Sequence, residues 1–280
     1  MAIKNFIPTV WSENLYESLK KKYIAISHCN REFEGDIKEK GDTVKICGLG
    51  AVNVSDYVKN TNMTTPQVLS DNVRDLVINQ AKYFNFQIDD IDRVQSNPRM
   101  MDLALKNAAS ALADAADRYV YSLYDQAGST IYVDDPTSEE LIDKLIDART
   151  RLFSNNVSSP EDIVIEVTPK IAGMILKAKV KLSTDNGEAL ENGCIGSIGG
   201  CKIYVSNNIY SIDNEETFEY KCLARTKRAI AFAEQISEID AYRPELRFAD
   251  AVKGLHLYGA KVVYPNEMVL LNVTLPAENL

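Results

Sequence analysis

Imidazole, indole and surplus positive charge are what this chain has least of. Its 280 residues hold two histidines, His28 and His256, and one tryptophan, Trp11. Two imidazoles cannot build a histidine-rich metal site, so a four-ligand zinc site would have to draw on cysteine. The cysteines number five, at Cys29, Cys47, Cys194, Cys201 and Cys222, with no C-x-x-C pair among them. An odd, scattered set fits a reducing compartment rather than a disulfide framework. The Asn-x-Ser/Thr matches at Asn53, Asn62, Asn156 and Asn272 are then chance matches.

Lys and Arg total 31 against 40 Asp and Glu, a net charge of -9. That balance excludes a surface whose affinity comes from neutralising many phosphates, and with it a specific DNA reader. A container can still enclose nucleic acid without gripping each phosphate. No apolar run approaches the roughly 20 residues that cross a bilayer, and the opening "MAIKNFIPTVW" lacks the basic flank and apolar core of a secretory signal. Three motifs are also missing: G-x-x-x-x-G-K-[ST], a G-x-G-x-x-G following a strand, and the G-x-S-x-G nucleophile elbow.

What is present is an average globular composition, 45% hydrophobic and 25% charged, patterned as α+β. Ser12 caps a first helix with Trp11 stapled onto Tyr16, and Leu15, Leu19 and Tyr23 share its apolar stripe. The arm "MAIKNFIPT" before it is apolar but too short to make a core. From Arg31 to Gln80, the runs "GDTVKICGL", "AVNVSDYV" and "DNVRDLVIN" predict a long β-ribbon, which needs a neighbour to be stable. "KYFNFQIDDID" alternates Phe84, Phe86 and Ile88 against Tyr83, Asn85 and Gln87, a half-buried strand.

The strongest helix signal spans 98–127, with Asn97 as cap, Pro98 at the first position and Gly128 as the stop. Its expected stripe is Met101, Leu105, Ala108, Leu112, Ala115, Tyr119 and Leu123, along a strut of about 45 Å. Thr137 and Glu140 form a capping box for a further helix, followed by a boundary in the loop "SNNVSSP". "EDIVIEV" is a buried strand, Thr168 and Pro169 open another helix, "CKIYVSNNIY" is a strand, and 221–244 is expected to be helical. The β-patterned "RFADAVKGLHLYGAKVVYPNEMVLLNVTL" closes the chain.

Candidates for chemistry are few. Gly193, Gly196, Gly199 and Gly200 fit no phosphate motif, and their G-x-x-G matches lack adjacent positive charge, so a turn is expected there. Ser197 is preceded by Ile195 where an elbow needs glycine. His256 projects from a strand as a structural histidine. Asp89, Asp90 and Asp92 form an acidic strand end of the kind that binds hard cations or precedes a helix N-terminus. Arg225, Lys227 and Arg228 make a basic cluster, a solvated helix face or a contact with an acidic neighbour. No catalytic residue, cofactor-binding residue or metal ligand set emerges.

The order of these parts, together with "IPTVWSENLYESL", "GDTVKI", "NQAKYFNFQIDDID", "ALADAADRYVYSLY", "IGSIGGCKIYVSNN" and "RFADAVKGLHLYGAKVVYP", resembles the major capsid proteins of tailed double-stranded DNA bacteriophages. Within them it is most similar to the branch of short-tailed enterobacterial phage coat proteins, over nearly the whole chain. The resemblance implies the capsid fold shared with encapsulins and the herpesvirus capsid floor. It assigns an N-terminal arm to 1–30, an extended β-loop to 31–80, a peripheral domain with the spine helix 98–127 to 81–160, an axial domain to 161–245, and closing strands returning to the peripheral domain to 246–280.

The function this implies is structural: pentamers and hexamers closing into an icosahedral shell around the phage genome. Its partners are other copies of the chain, a portal, decoration proteins, and double-stranded DNA held without sequence specificity, with no membrane. The arm begins almost at the first residue, so a scaffolding protein is expected to be separate. Assembly would take place in the bacterial host cytoplasm, and the product would be the virion capsid. Expected inter-subunit contacts are Trp11, Asp56, Tyr57, Lys59, Asn60, Arg225, Arg228 and Arg243. Two other classes remain open: an encapsulin-like protein container, and a cytoplasmic α+β enzyme with a ligand site at the 193–200 glycine loop.

Overall fold

The computed structural model describes residues 15, 17–19, 22–32, 43–49, 56, 59, 62, 71–89, 100–157, 160–178, 194–214, 216–246 and 248–277. Ser12, Trp11, Asn97, Pro98, Asp90 and Asp92, and the expectations attached to them, lie outside these residues. Of the first helix, residues 17–19 are helical, and Leu15, Leu19 and Tyr23 are buried as their spacing predicts.

Two strands of the expected ribbon, β1 (Thr43–Leu49) and β2 (Asp71–Val77), pair antiparallel from Thr43 opposite Val77 to Leu49 opposite Asp71. The ribbon does not stand alone at its base: Val44, Ile46, Leu76 and Ile78 pack on Ala231, Ala233, Leu257 and Val263. Strand β3 (Gln80–Asp89) shows the expected alternation, with Phe84, Phe86 and Ile88 on its more buried face. It is one edge of a three-stranded antiparallel sheet, β10 (Ile230–Tyr242), β11 (Ala249–Val262), β3.

The spine helix α1 (Met100–Tyr121) lies against that sheet and continues as a 3-10 turn, Ser122–Gln126. Its buried stripe is Leu105, Ala109, Leu112, Ala113, Ala116 and Val120; Ala108, Ala115, Tyr119 and Leu123 are half-buried at its flank. The cause is the 3.6-residue period, which drifts from any fixed pattern of threes and fours over six turns. At Gly128 the chain turns over the Pro265 carbonyl, which accepts the Gly128 N–H at 2.8 Å.

A seven-stranded mixed sheet forms the second layer, in the order β4 (Ser129–Asp134), β12 (Met268–Pro276), β9 (Thr217–Thr226), β5 (Ile163–Val167), β7 (Cys201–Val205), β6 (Cys194–Ile198), with β8 (Ser211–Asp213) paired to β9. Helices α2 (Ser138–Ser154) and α3 (Pro169–Lys177) cover one face through Leu141, Leu145, Leu152, Ile171 and Ile175. The expected capping box is present, with Thr137 and Glu140 bonded reciprocally. The other face meets α1 and the base of the arm.

One expectation changes, and one strand is new. Residues 221–244 are not helical but the end of β9, a turn at 227–229 and β10. Their Ala, Arg, Lys and Glu favour helix locally, but β9 is covered on both faces, so its apolar residues run together and hide the period of two. Strand β4 has no counterpart in the sequence reading. β4 pairs with β12 in the seven-stranded layer, α2 packs on that layer, and β11 stays with α1.

A methyl group added at Gly128 would lie 2.5 Å from the Pro265 oxygen. Gly128→Ala is therefore expected to destabilise the chain by about 1–3 kcal/mol, as overpacking against backbone does; urea unfolding that shows no loss would contradict this close approach.

Candidate functional site

Among the described residues, much of the buried polar chemistry gathers around residues 23–31. Residues 23–31 bury Tyr23, Ala25, Ile26 and Cys29 in the core around α1, and backbone and charge hold them as well. Asp117, buried on α1, accepts the Ile24 N–H at 2.9 Å through Oδ2 and the Ile26 N–H at 3.2 Å through Oδ1. Arg225, on β9, donates to the carbonyls of Ala25 at 2.8 Å and His28 at 2.6 Å. Asn30 then joins the edge of β10, its N–H reaching the Ile230 oxygen at 2.9 Å and its oxygen accepting from Phe232 at 2.9 Å.

Two buried carboxylates complete the fastening. Glu166, the one charged residue in "IVIEV", accepts two hydrogen bonds of 2.9 Å from Nε and Nη2 of Arg225, and Nδ1 of His28 lies 3.3 Å away. Glu234 on β10 accepts from the Tyr23 hydroxyl and from Arg31, and meets Nε2 of His256 at 2.9 Å. The carboxylates thus reach the arm from the helix, the seven-stranded sheet and the three-stranded sheet.

Burial alone would raise the Glu166 carboxyl, but the Arg225 guanidinium and the His28 ring outweigh it and hold it below its ordinary value. Glu234 behaves in the same way, burial being outweighed by His256, Arg31 and Tyr23. For Asp117 burial is the largest influence and pushes its carboxyl up to about 7 despite the amides of Ile24 and Ile26. The Cys29 thiol, buried beside Arg225, is pushed up to about 11 by loss of solvent and stays a thiol at neutral pH.

Of the expected contact residues, Arg225 is corrected: it is 0% exposed and wholly engaged inside its own chain. Arg228 is exposed and paired with Glu267, and Arg243 lies 3.4 Å from Asp250. Asp56 and Lys59 are exposed, while Trp11, Tyr57 and Asn60 lie outside the described residues. His256 is the structural histidine its strand position predicts. The glycine stretch is a hairpin: β6 and β7 pair through Ile198 and Cys201, and Gly199 and Gly200 carry φ of 57° and 86°, the two left-handed residues that a type I′ turn requires. Asp117, Glu166 and Glu234 escaped the sequence reading. Only Glu166 carried a signal, as a lone acid in an apolar strand.

No protein-family model and no curated protein matches the sequence. Solved structures do. One from Mycobacterium phage Che8 is 30% identical, over 89% of this chain and 90% of its own, with a TM-score of 0.69. The capsid of cyanophage P-SCSP1u is 15% identical over 88% and 86%, TM-score 0.66. A virus-like particle from Pyrococcus furiosus is 12% identical over 97% and 100%, TM-score 0.56.

Two outcomes test the anchor. Arg225→Ala leaves Glu166 buried without its partner and is expected to destabilise the chain by about 3–5 kcal/mol, with much of the loss recovered in Arg225→Met/Glu166→Met; equal losses in the single and double variants would contradict the pairing. Between the ordinary value of 3.8 and about 7, folded Asp117 keeps a proton that the unfolded chain has released. Its contribution therefore makes stability fall as pH rises through that window, by about 1.4 kcal/mol per pH unit. Urea unfolding of Asp117→Asn at a series of pH values is expected to lack that slope; an unchanged slope would contradict the assignment. With its arm fastened to both sheets of the capsid architecture, and with a 30%-identical relative spanning nearly all of both chains, this chain belongs to the phage major capsid proteins.

Proposed function

We propose that the chain is the self-assembling subunit of an icosahedral shell, arranged as pentamers and hexamers around a double-stranded DNA genome. The observation that carries this reading is apolar surface that one chain leaves uncovered. At the tip between β10 and β11, Leu246 is 96% and Phe248 85% exposed. Paired large apolar side chains on a soluble surface mark a contact with another molecule, and in a shell that molecule is the next copy. Each such contact is modest, and closure multiplies it.

The division into arm, extended loop, peripheral and axial domains goes with this proposal, as do a scaffolding protein, a portal, decoration proteins and assembly in the host cytoplasm. The short-tailed enterobacterial branch rests on the sequence stretches alone. A container for protein cargo is the second reading, favoured by the likeness to the Pyrococcus furiosus virus-like particle over its whole length. The contents of the particle separate the two.

Electron microscopy and sedimentation of the chain, expressed alone and with its neighbouring reading frames, are expected to show closed particles or regular tubes. Leu246→Ser/Phe248→Ser is expected to keep the melting temperature and to weaken assembly by about 2 kcal/mol per contact, roughly 30-fold in the association constant. Compact monomers under every condition would overturn the reading. Nuclease-protected DNA inside the particles supports the genome shell, and protein without DNA supports the cargo container.

A further inference from the structure

One flank of α1 opens on a cleft of about 530 Å³, lined by none of the residues that fasten the arm. Ala115, Arg118, Tyr119 and Ser122 stand at the i, i+3, i+4, i+7 spacing that puts them on one stripe, and all four line it. Strand β3 adds Lys82. The period of two sets Lys82 on the face that carries Phe84 and Phe86, so a cation stands where the strand otherwise turns apolar groups to the core of α1. Lys82 is exposed and has no hydrogen bond or ion pair among the described residues. Arg118 is positioned from the turn at 207–209: its Nε donates to Oδ1 of Asn208 at 3.2 Å, and Nδ2 of Asn208 donates to Oδ1 of Asp114 at 2.9 Å. The Nη donors of Arg118 have no partner among the described residues. In a chain of net charge -9, no carboxylate is among the described residues that line this cleft. Two aromatic groups complete it. Tyr258 of β11 is 0% exposed, its ring centroid 5.7 Å from that of Tyr119, and its hydroxyl meets no partner among the described residues. Tyr210 is 43% exposed, its ring backed by Tyr124 at 5.1 Å.

We propose that this cleft binds a nucleotide, its phosphate held by Lys82 and Arg118 and its base laid on Tyr210. Two cations with unmet donors suit the oxygens of a phosphate, which take several charge-assisted hydrogen bonds at once. The Tyr258 hydroxyl is a further donor in the wall, and a buried hydroxyl without a partner destabilises the empty cleft until a ligand oxygen meets it. The ring of Tyr210 is a stacking platform of the kind bases use. Beside it, the carboxamide of Asn207, also in the lining, offers one donor and one acceptor to a base edge. The volume falls among those of small-molecule sites. A nucleotide of a duplex is paired and stacked, and entering a cleft would require flipping it out. The ligand is therefore a free nucleotide or an unpaired one in a strand. This site is distinct from the shell's hold on its contents, since it engages one nucleotide unit on each subunit.

Titration calorimetry of the purified, unassembled chain with deoxyadenosine monophosphate tests this independently of shell formation. The expected result is one site per chain with a dissociation constant of about 1 mM or tighter, weakened by added salt. Deoxyadenosine and inorganic phosphate, each lacking half of the ligand, are expected to bind about ten-fold more weakly or worse. Lys82→Gln/Arg118→Gln changes two exposed side chains and is expected to weaken binding about ten-fold or more while keeping the melting temperature. Tyr210→Ala is expected to bring the nucleotide down to the affinity of inorganic phosphate. Tyr258→Phe separates binding from structure: the empty chain is expected to melt no lower than the wild type, and the nucleotide to bind several-fold more weakly. The absence of saturable binding at millimolar nucleotide, or full affinity in the double variant, would overturn the proposal. Inorganic phosphate binding as tightly as the nucleotide would overturn the placing of the base on Tyr210, and full affinity in Tyr258→Phe would overturn the role of its hydroxyl. A short single-stranded oligonucleotide identifies the source: affinity above that of the mononucleotide places an unpaired strand in the cleft, and equal or lower affinity places a free nucleotide there.

Discussion

The pairing of Glu166 with Arg225 is the constraint around which the rest is arranged. Both groups are wholly buried, and a charge without solvent persists only if every one of its hydrogen-bonding groups is met. Glu166 uses both oxygens on Arg225, and Arg225 turns its remaining donors to the carbonyls of Ala25 and His28. The ion pair is thus incomplete without the arm. The arm in turn has its amides satisfied by Asp117 and by the edge of β10. A segment already packed through Tyr23, Ala25, Ile26 and Cys29 is fixed in register to a helix and two sheets by completing their polar groups. The position of residues 23–31 is therefore defined by the chain itself.

The seven-stranded sheet shows how this is encoded. Along β9, Tyr220, Cys222 and Ala224 face the core under α2 and α3, whereas Glu219, Lys221 and Arg225 alternate with them and face α1 and the arm. One side of the strand is packed by apolar contact, and the other carries Glu219, Lys221 and Arg225, each answered by a named partner, with Leu223 packed in the core between them. That side holds the arm at one end and the Lys221–Asn272 pair at the other. The external surface follows a different rule: at the hairpin tip Leu246 and Phe248 stand exposed.

Much of the scaffold was legible because local signals agreed with the final fold. The Thr137 and Glu140 box, the alternation of Phe84, Phe86 and Ile88, the stop at Gly128 and the Gly199–Gly200 turn each follow from short-range chemistry. What failed was decided by long-range packing. Helix-favouring residues at 221–244 became strands because both their faces are covered, and the spine helix buries Ala109 and Ala116 rather than Ala108 and Ala115 because its period is not an integer. Arg225 looked like a surface cation because composition does not reveal that Glu166, 59 residues away in sequence, lies beside it. The carboxylates of the anchor come from α1, β5 and β10, and no spacing rule links them.

The central claim is that the arm is fastened by the chain's own buried charges and not by neighbouring copies. Hydrogen exchange of the unassembled chain, read at the amides of Ile24, Ile26 and Asn30, tests it most directly. The account predicts protection close to that of the β9 amides before any assembly takes place. Exchange at the rate of an unstructured peptide, with protection gained only in the shell, would contradict it.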